Sequence, residues 1–241
     1  MMRFPAALTA ALAKARIARI FRPGRHRRLL AFVDPAEVLH LGSFHPVSHE
    51  KIRAVVSSTS RIVWIGGSEP LDHPGIAHLV RALAPSGHFI FLETNGTFLR
   101  GRIHEFQPLP NLFLVVRLDG PKNNGFDLAL EGLRAARLSG FITVVHTVVG
   151  EGADHEALKR LRSLLVEIDL DGWLITDASD NSAIAARSAK ARKLIPNAAW
   201  RRFSAQTERE LLLRLKVDES QTTPLAEKPQ AQACEEGVKV A

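Results

Sequence analysis

The chain has 241 residues, 46% of them hydrophobic, which suits one α/β domain with a substantial core and excludes global disorder. No apolar run reaches the ~20 residues that span a bilayer, and a single cysteine, Cys234, excludes an intramolecular disulfide and points to a reducing, cytoplasmic setting. The formal charge of +7 resides in an N-terminal arm, because residues 1–28 carry eight basic side chains and no acid, leaving 24 basic against 25 acidic residues elsewhere.

Residues Pro5–Phe21 predict an amphipathic helix, with Leu8, Leu12, Ile17 and Ile20 towards one face and Lys14, Arg16 and Arg19 on others. Pro23-Gly24 stops it. Such a helix packs across the bottom of a barrel or lies on an anionic membrane surface, which would place the protein peripherally at the membrane. An organellar presequence shares its Arg-rich, acid-poor composition. Nucleic acid is not the expected partner.

From Leu29 onward short apolar runs alternate with amphipathic stretches. The expected strands are Leu29–Val33, Arg61–Ile65, His88–Leu92, Leu112–Arg117, Ile142–Thr147 and Gly172–Thr176. The expected helices are His49–Ser57, Gly75–Leu83, Phe126–Leu138, His155–Glu167 (capped by Asp154) and Ala183–Leu194, with a weaker helix or turn over Thr97–Phe106. A second acid-free basic stretch, Ser182–Gln206, reads as solvated helix faces. This alternation predicts a parallel sheet with crossover helices, of α/β class. Six units fit an open, partial (β/α)6 TIM-like barrel, with a doubly wound sheet as the competitor. The expected organisation is a basic helical arm at 1–28, the barrel at 29–216 and a disordered polar tail at 217–241.

The distinctive segments fall just after predicted strands, on the C-terminal rim where parallel α/β folds bind ligands. They are Trp64-Ile-Gly-Gly-Ser-Glu-Pro-Leu-Asp-His-Pro74, Glu93-Thr-Asn-Gly96 and Arg117-Leu-Asp-Gly-Pro121. Gly66 and Gly67 let the backbone approach a ligand, and Glu69 and Asp119 place carboxylates beside turns. Further along the rim come His146 and Thr147, then Thr176, Asp177 and Asp180. His146 reads equally as a pocket residue and as a hydrogen-bonded core histidine. A Gly-Gly turn or an Asn-Gly pair alone is commonplace. Three such segments in order, one βα unit apart, are not.

In that order and spacing, Arg61–Val149 resembles the central part of the radical S-adenosylmethionine (SAM) superfamily. The resemblance includes His73-Pro74 and the entry Leu138-Ser-Gly-Phe-Ile-Thr-Val-Val145 into the next strand. It implies a partial barrel of the radical SAM type and a SAM contact at Gly66, Gly67 and Glu69. It further points to Asn95, Asp119 and Thr147 as cofactor-binding positions. Two departures stand out. The loop after the first strand, Asp34-Pro-Ala-Glu-Val-Leu-His-Leu-Gly-Ser-Phe-His-Pro46, holds no thiol, whereas a site-differentiated [4Fe–4S] cluster takes three from the protein. His40, His45 and His49 do not replace all three, so no cluster is expected. Arg117 also stands where the superfamily carries a small hydroxyl residue.

A divalent metal site on His45, His49, Asp72 and His73 is weighed and set aside, because the residue before Pro46 avoids the helical region. The leading expectation is a pseudoenzyme that binds SAM or another small ligand and acts as regulator or partner of an active radical SAM enzyme or other protein. The alternative is an enzyme using Glu69, Asp119, His146 and Arg117 in acid–base or metal-assisted chemistry on an anionic substrate. A third reading makes residues 1–28 a docking module for anionic membrane or nucleic acid.

Overall fold

Short runs of Val, Ile, Leu and Phe favour strands, and the amphipathic stretches between them favour crossover helices. The computed structural model, which describes residues 2–21, 28–39, 49–119, 125–177 and 182–221, follows that division. In chain order it forms α1 (Ala6–Phe21), β1 (Leu30–Val33), α2 (Pro35–Val38), α3 (His49–Val56), β2 (Ile62–Ile65) and α4 (Ile76–Leu83). There follow β3 (Phe89–Thr94), α5 (Leu99–Arg102), β4 (Leu112–Arg117), α6 (Phe126–Leu138) and β5 (Ile142–Val149). The last elements are α7 (His155–Glu167), β6 (Gly172–Asp177), α8 (Ser182–Arg192) and α9 (Ala198–Gln221). Asp154 caps α7 as expected, its Oδ1 accepting from Glu156 N–H at 2.9 Å.

The six strands are parallel and pair in the order β1-β2-β3-β4-β5-β6. A doubly wound sheet reverses strand order at a switch point. Here the order never reverses, so the sheet curls in one direction into a partial (β/α)6 barrel, with β1 and β6 as its edges.

Parallel register sorts the barrel interior into layers. Trp64, Phe91 and Phe113 are in-register neighbours on β2, β3 and β4, and successive side chains alternate between faces. Their rings stack, with centroids 5.5 Å apart for Trp64–Phe91 and 4.4 Å for Phe91–Phe113. Phe203 of α9 meets Phe91 at 5.6 Å, and Phe4 meets Trp200 edge-on at 4.8 Å. The lower half of the barrel is therefore an aromatic plug. Two residues further along the same face, the interior turns polar.

The sequence reading contains no helix at 198–221, and α9 corrects it. Its buried positions Trp200, Phe203, Ser204, Thr207 and Glu208 follow a helical period, yet three of the five are polar, which hides the stripe from a hydrophobicity pattern. The polar residues serve the barrel's open seam. Ser204 Oγ accepts from Ile175 N–H at 2.8 Å and donates to Ile175 O at 2.6 Å, while Glu208 accepts from Asp177 N–H at 3.1 Å. On the opposite edge Glu210 accepts from Leu29 N–H at 3.3 Å. One helix thus occupies unpaired backbone groups beside both edges, which would otherwise invite strand addition. Gly172 makes room for it, since a Cβ there would lie 2.4 Å from the Trp200 ring.

The expectation that Ser182–Gln206 is merely a solvated basic face also needs correction at Arg192. Its side chain is 13% exposed and bound to Glu208. At the other terminus Met2 and Leu8 are buried while Ile17 is exposed, and Asn197 and Trp200 hydrogen-bond the carbonyls of Met2 and Arg3. The start of α1 therefore packs at the aromatic end of the barrel. No helix among the described residues is long and apolar enough to cross a membrane.

Candidate ligand site at the barrel rim

The rim carboxylates stitch neighbouring βα loops together. Asp34, just past β1, uses Oδ1 to accept from Ser68 Oγ at 2.6 Å and Ala36 N–H at 3.0 Å. Glu69, past β2, accepts from Thr94 Oγ1 at 2.5 Å, Asn95 N–H at 2.7 Å and Leu71 N–H at 3.1 Å, joining the first motif to the second. Asp119, past β4, accepts from Val148 N–H of β5 at 2.9 Å and from Arg117 Nε at 3.3 Å. Short polar turns need partners for their backbone N–H groups, and these acids supply them.

Gly66 and Gly67 lie against two carboxylates. A Cβ on Gly67 would stand 2.4 Å from Asp34 Oδ2, and the residue holds φ of +112°, a conformation that side chains disfavour. A Cβ on Gly66 would stand 3.0 Å from Glu93 Oε2.

Glu93 begins the polar interior layer. On β3 it shares a face with Phe91, and its carboxylate reaches across the barrel to β5, where His146 Nδ1 lies 2.5 Å from Oε1. Trp64 Nε1–H donates to Oε2 at 2.8 Å, and His146 Nε2 lies 2.8 Å from Thr176 Oγ1 on β6. Trp64, Glu93, His146 and Thr176 thus form a chain spanning β2 to β6. Burial pushes the Glu93 carboxyl up, but facing His146, the hydrogen bonds from His146 and Trp64 and the charge of Arg117 together hold it below its ordinary value of 4.5. An ionised carboxylate only accepts, so Nδ1 of His146 carries the hydrogen in this pair. Nε2 accepts from the Thr176 hydroxyl, or donates to it when the ring is protonated. His146 and Thr176 are buried, and Glu93, with a side chain 17% exposed, is the open end of the chain.

Asn95, Arg117 and Asp119 line a hollow of about 180 Å³ between the ends of β3 and β4, floored by Ala129 and Phe126. Thr147 is not among them. It points to the face of β5 opposite His146, donates to Leu118 O at 2.7 Å and accepts from Trp173 Nε1–H at 3.0 Å. Asp177 ends β6 with Oδ1 buried and unpartnered among the described residues. Sequence reasoning passed over Glu93 and Trp64 as site residues. The available signal was a charge at an interior position of an apolar strand, Phe89-Ile-Phe-Leu-Glu-Thr94.

Asp180, Gly120, Pro121, His40, His45 and Cys234 lie outside the described residues. His73 is buried with Nδ1 unpartnered, and no three His, Cys, Asp or Glu side chains among the described residues converge on a metal position. The donor set does not fit the [4Fe–4S] cluster that the resemblance implies, since the whole chain contains one thiol. Carboxylates against a Gly-Gly turn do fit the ammonium end of an amino-acid-bearing ligand such as SAM.

No protein-family profile and no curated protein sequence matches the chain. Among solved structures it is similar to Streptococcus suis SuiB bound to S-adenosylmethionine, with TM-score 0.55 and 14% identity over 79% of this chain and 52% of that one. SuiB bound to the precursor peptide SuiA gives TM-score 0.53 and 14% identity over 70% and 44%. The chain spans about half the length of these structures. Identity this low carries the fold alone, and the fold the chain shares with these structures is a partial (β/α)6 barrel.

Proposed function

We propose that the chain is a cluster-free domain of the radical SAM type that binds SAM or a related ammonium-bearing small ligand at the barrel rim. It acts in this reading as a regulator or partner of an active enzyme. The observation that carries the proposal is the pairing of a SAM-type Gly66-Gly67 turn, flanked by Asp34 and Glu93, with a sequence whose one cysteine is Cys234. The similar fold of SuiB, crystallised with SAM and with a peptide, supports a small ligand and a protein partner. Gly66, Gly67 and Glu93 would meet the ammonium group, and Asn95, Arg117 and Asp119 the more distal parts. Without three thiolates no reductive cleavage of SAM is expected. Calorimetric titration of SAM and anaerobic reconstitution with iron and sulfide test both halves. Saturable SAM binding without a stable cluster spectrum is expected. A SAM-responsive [4Fe–4S] signal overturns the first half, and absence of SAM binding overturns the second.

A second reading rests on the Glu93–His146–Thr176 chain. A carboxylate that orients an imidazole towards a hydroxyl is the arrangement of general-base catalysis. In this reading the protein performs acid–base chemistry on an anionic substrate held by Arg117. Incubation with a metabolite extract separates the two: consumption of a metabolite by the intact protein, abolished in His146→Gln, favours the enzyme.

A further inference from the structure

We propose that the outward face of α1 docks the protein on an anionic membrane surface, lying in the interface without crossing it. Packing decides which face of the helix is outward. Leu8 is fully buried and Leu12 packs partly against the same core. Asn197 and Trp200 hold the carbonyls of Met2 and Arg3, so the start of α1 is fastened at the aromatic end of the barrel, away from the rim motifs. Nine positions separate Leu8 from Ile17, and Leu12 from Phe21, which is about two and a half turns of helix. Ile17 and Phe21 therefore point away from the barrel, and they are 53% and 80% exposed. Ala6, Ala10 and Ala13, also exposed, extend the same side towards the start of the helix. An apolar stripe turned to solvent marks an interaction surface.

Charge selects the partner. Lys14 stands one turn before Ile17 and is exposed, as is Arg16, and residues 1–28 hold eight basic side chains and no acid. Two large apolar side chains give only weak, reversible insertion, so lasting attachment takes an electrostatic attraction as well. An anionic bilayer supplies both, with acyl chains for Ile17 and Phe21 and charged headgroups for Lys14 and Arg16. Nucleic acid would meet the charges and leave the apolar stripe in water. A second copy would cover the stripe and set one basic arm against another. With 16 residues, α1 is shorter than the ~20 that span a bilayer, which leaves the interface as its place.

Flotation of the full chain with vesicles of equal parts phosphatidylcholine and phosphatidylserine, against phosphatidylcholine alone, tests the surface. Binding is expected on the anionic vesicles, at least about tenfold weaker on the zwitterionic ones, and weakened by salt. Ile17→Ser with Phe21→Ser should lower the partition about tenfold. Lys14→Gln with Arg16→Gln should lower it by roughly the same factor on anionic vesicles alone. All four side chains are exposed, so Tm should not move. Phe21→Trp should keep binding, and its added emission should be quenched by lipids brominated on the acyl chains. Failure to float, equal binding to both vesicles, or binding indifferent to Ile17 and Phe21 overturns the proposal. So does a dimer that forms in place of vesicle binding and is lost in Ile17→Ser with Phe21→Ser, or retention by duplex DNA that anionic vesicles do not compete away.

Discussion

At the scale of single residues, Glu93 is the group on which the polar interior depends. Its two oxygens receive hydrogen from His146 and Trp64, and a glutamine can offer one acceptor oxygen, so Glu93→Gln leaves one buried donor facing an amide. The expected cost is about 1–3 kcal/mol, read from urea unfolding at neutral pH. The pH dependence has a definite sign. A carboxyl held below its unfolded value of 4.5 contributes stability that is fully present above 4.5 and is lost as pH falls through the folded value. Unfolding curves between about pH 3 and 6 should therefore show wild type losing more stability towards acid than Glu93→Gln. Parallel curves would sink this account of the carboxylate. Gly67 is the second sensitive position: alanine there meets both a φ of +112° and Asp34 at 2.4 Å. Gly67→Ala should destabilise by more than about 1 kcal/mol, and by more than Gly87→Ala, whose φ of +77° is left-handed helical and whose surroundings are open.

At the scale of elements, α9 decides whether six strands can stand without two more. A full barrel leaves no edge, whereas this sheet leaves two, and α9 answers both with Ser204, Glu208 and Glu210. Trp200→Ala removes a fully buried ring that packs on Gly172 and Phe4, and should cost about 3–5 kcal/mol. Ser204→Ala leaves the Ile175 amide unpaired at an edge and should cost about 1–3 kcal/mol, with hydrogen exchange accelerated at that amide; unchanged exchange would remove α9 from the role of edge cover. This element also marks what the sequence conceals. The strands and helices α1, α3, α4, α6, α7 and α8 fall close to the expected bounds, whereas the four-residue α2 is unexpected and α5 fills only part of the weak helix or turn expected over Thr97–Phe106. Ser204, Thr207 and Glu208 are polar because they serve backbone across the seam, a demand set by tertiary structure. No local pattern announces it. Arg192 is buried for the same reason, since Glu208 needs a counter-ion there.

At the scale of the whole molecule, the interior divides into an aromatic end and a polar end, and the polar end is acidic. Where the candidate residues lie was legible, since Gly66, Gly67, Glu69, Asn95 and Asp119 gather on the rim; that Glu69 and Asp119 accept hydrogen bonds from neighbouring loops was not. Partner identity across βα loops depends on register and curl, which single motifs do not encode. Glu93 and Asp34 are hydrogen-bonded as well, and what sets them apart is that they lie against Gly66 and Gly67, where a ligand's positive charge would face both. If SAM binds through its ammonium group, its deaminated analogue should bind at least about tenfold more weakly, the magnitude of one charge-assisted hydrogen bond. Glu93→Gln should shrink that discrimination, because it halves the negative charge facing the turn. The salt dependence should also be modest, since a partly buried pair is screened less than an exposed one. Equal affinity for SAM and its deaminated analogue would mean that the acids exist to hold the barrel together, and that the ligand is recognised instead by Arg117 and the hollow beside β4.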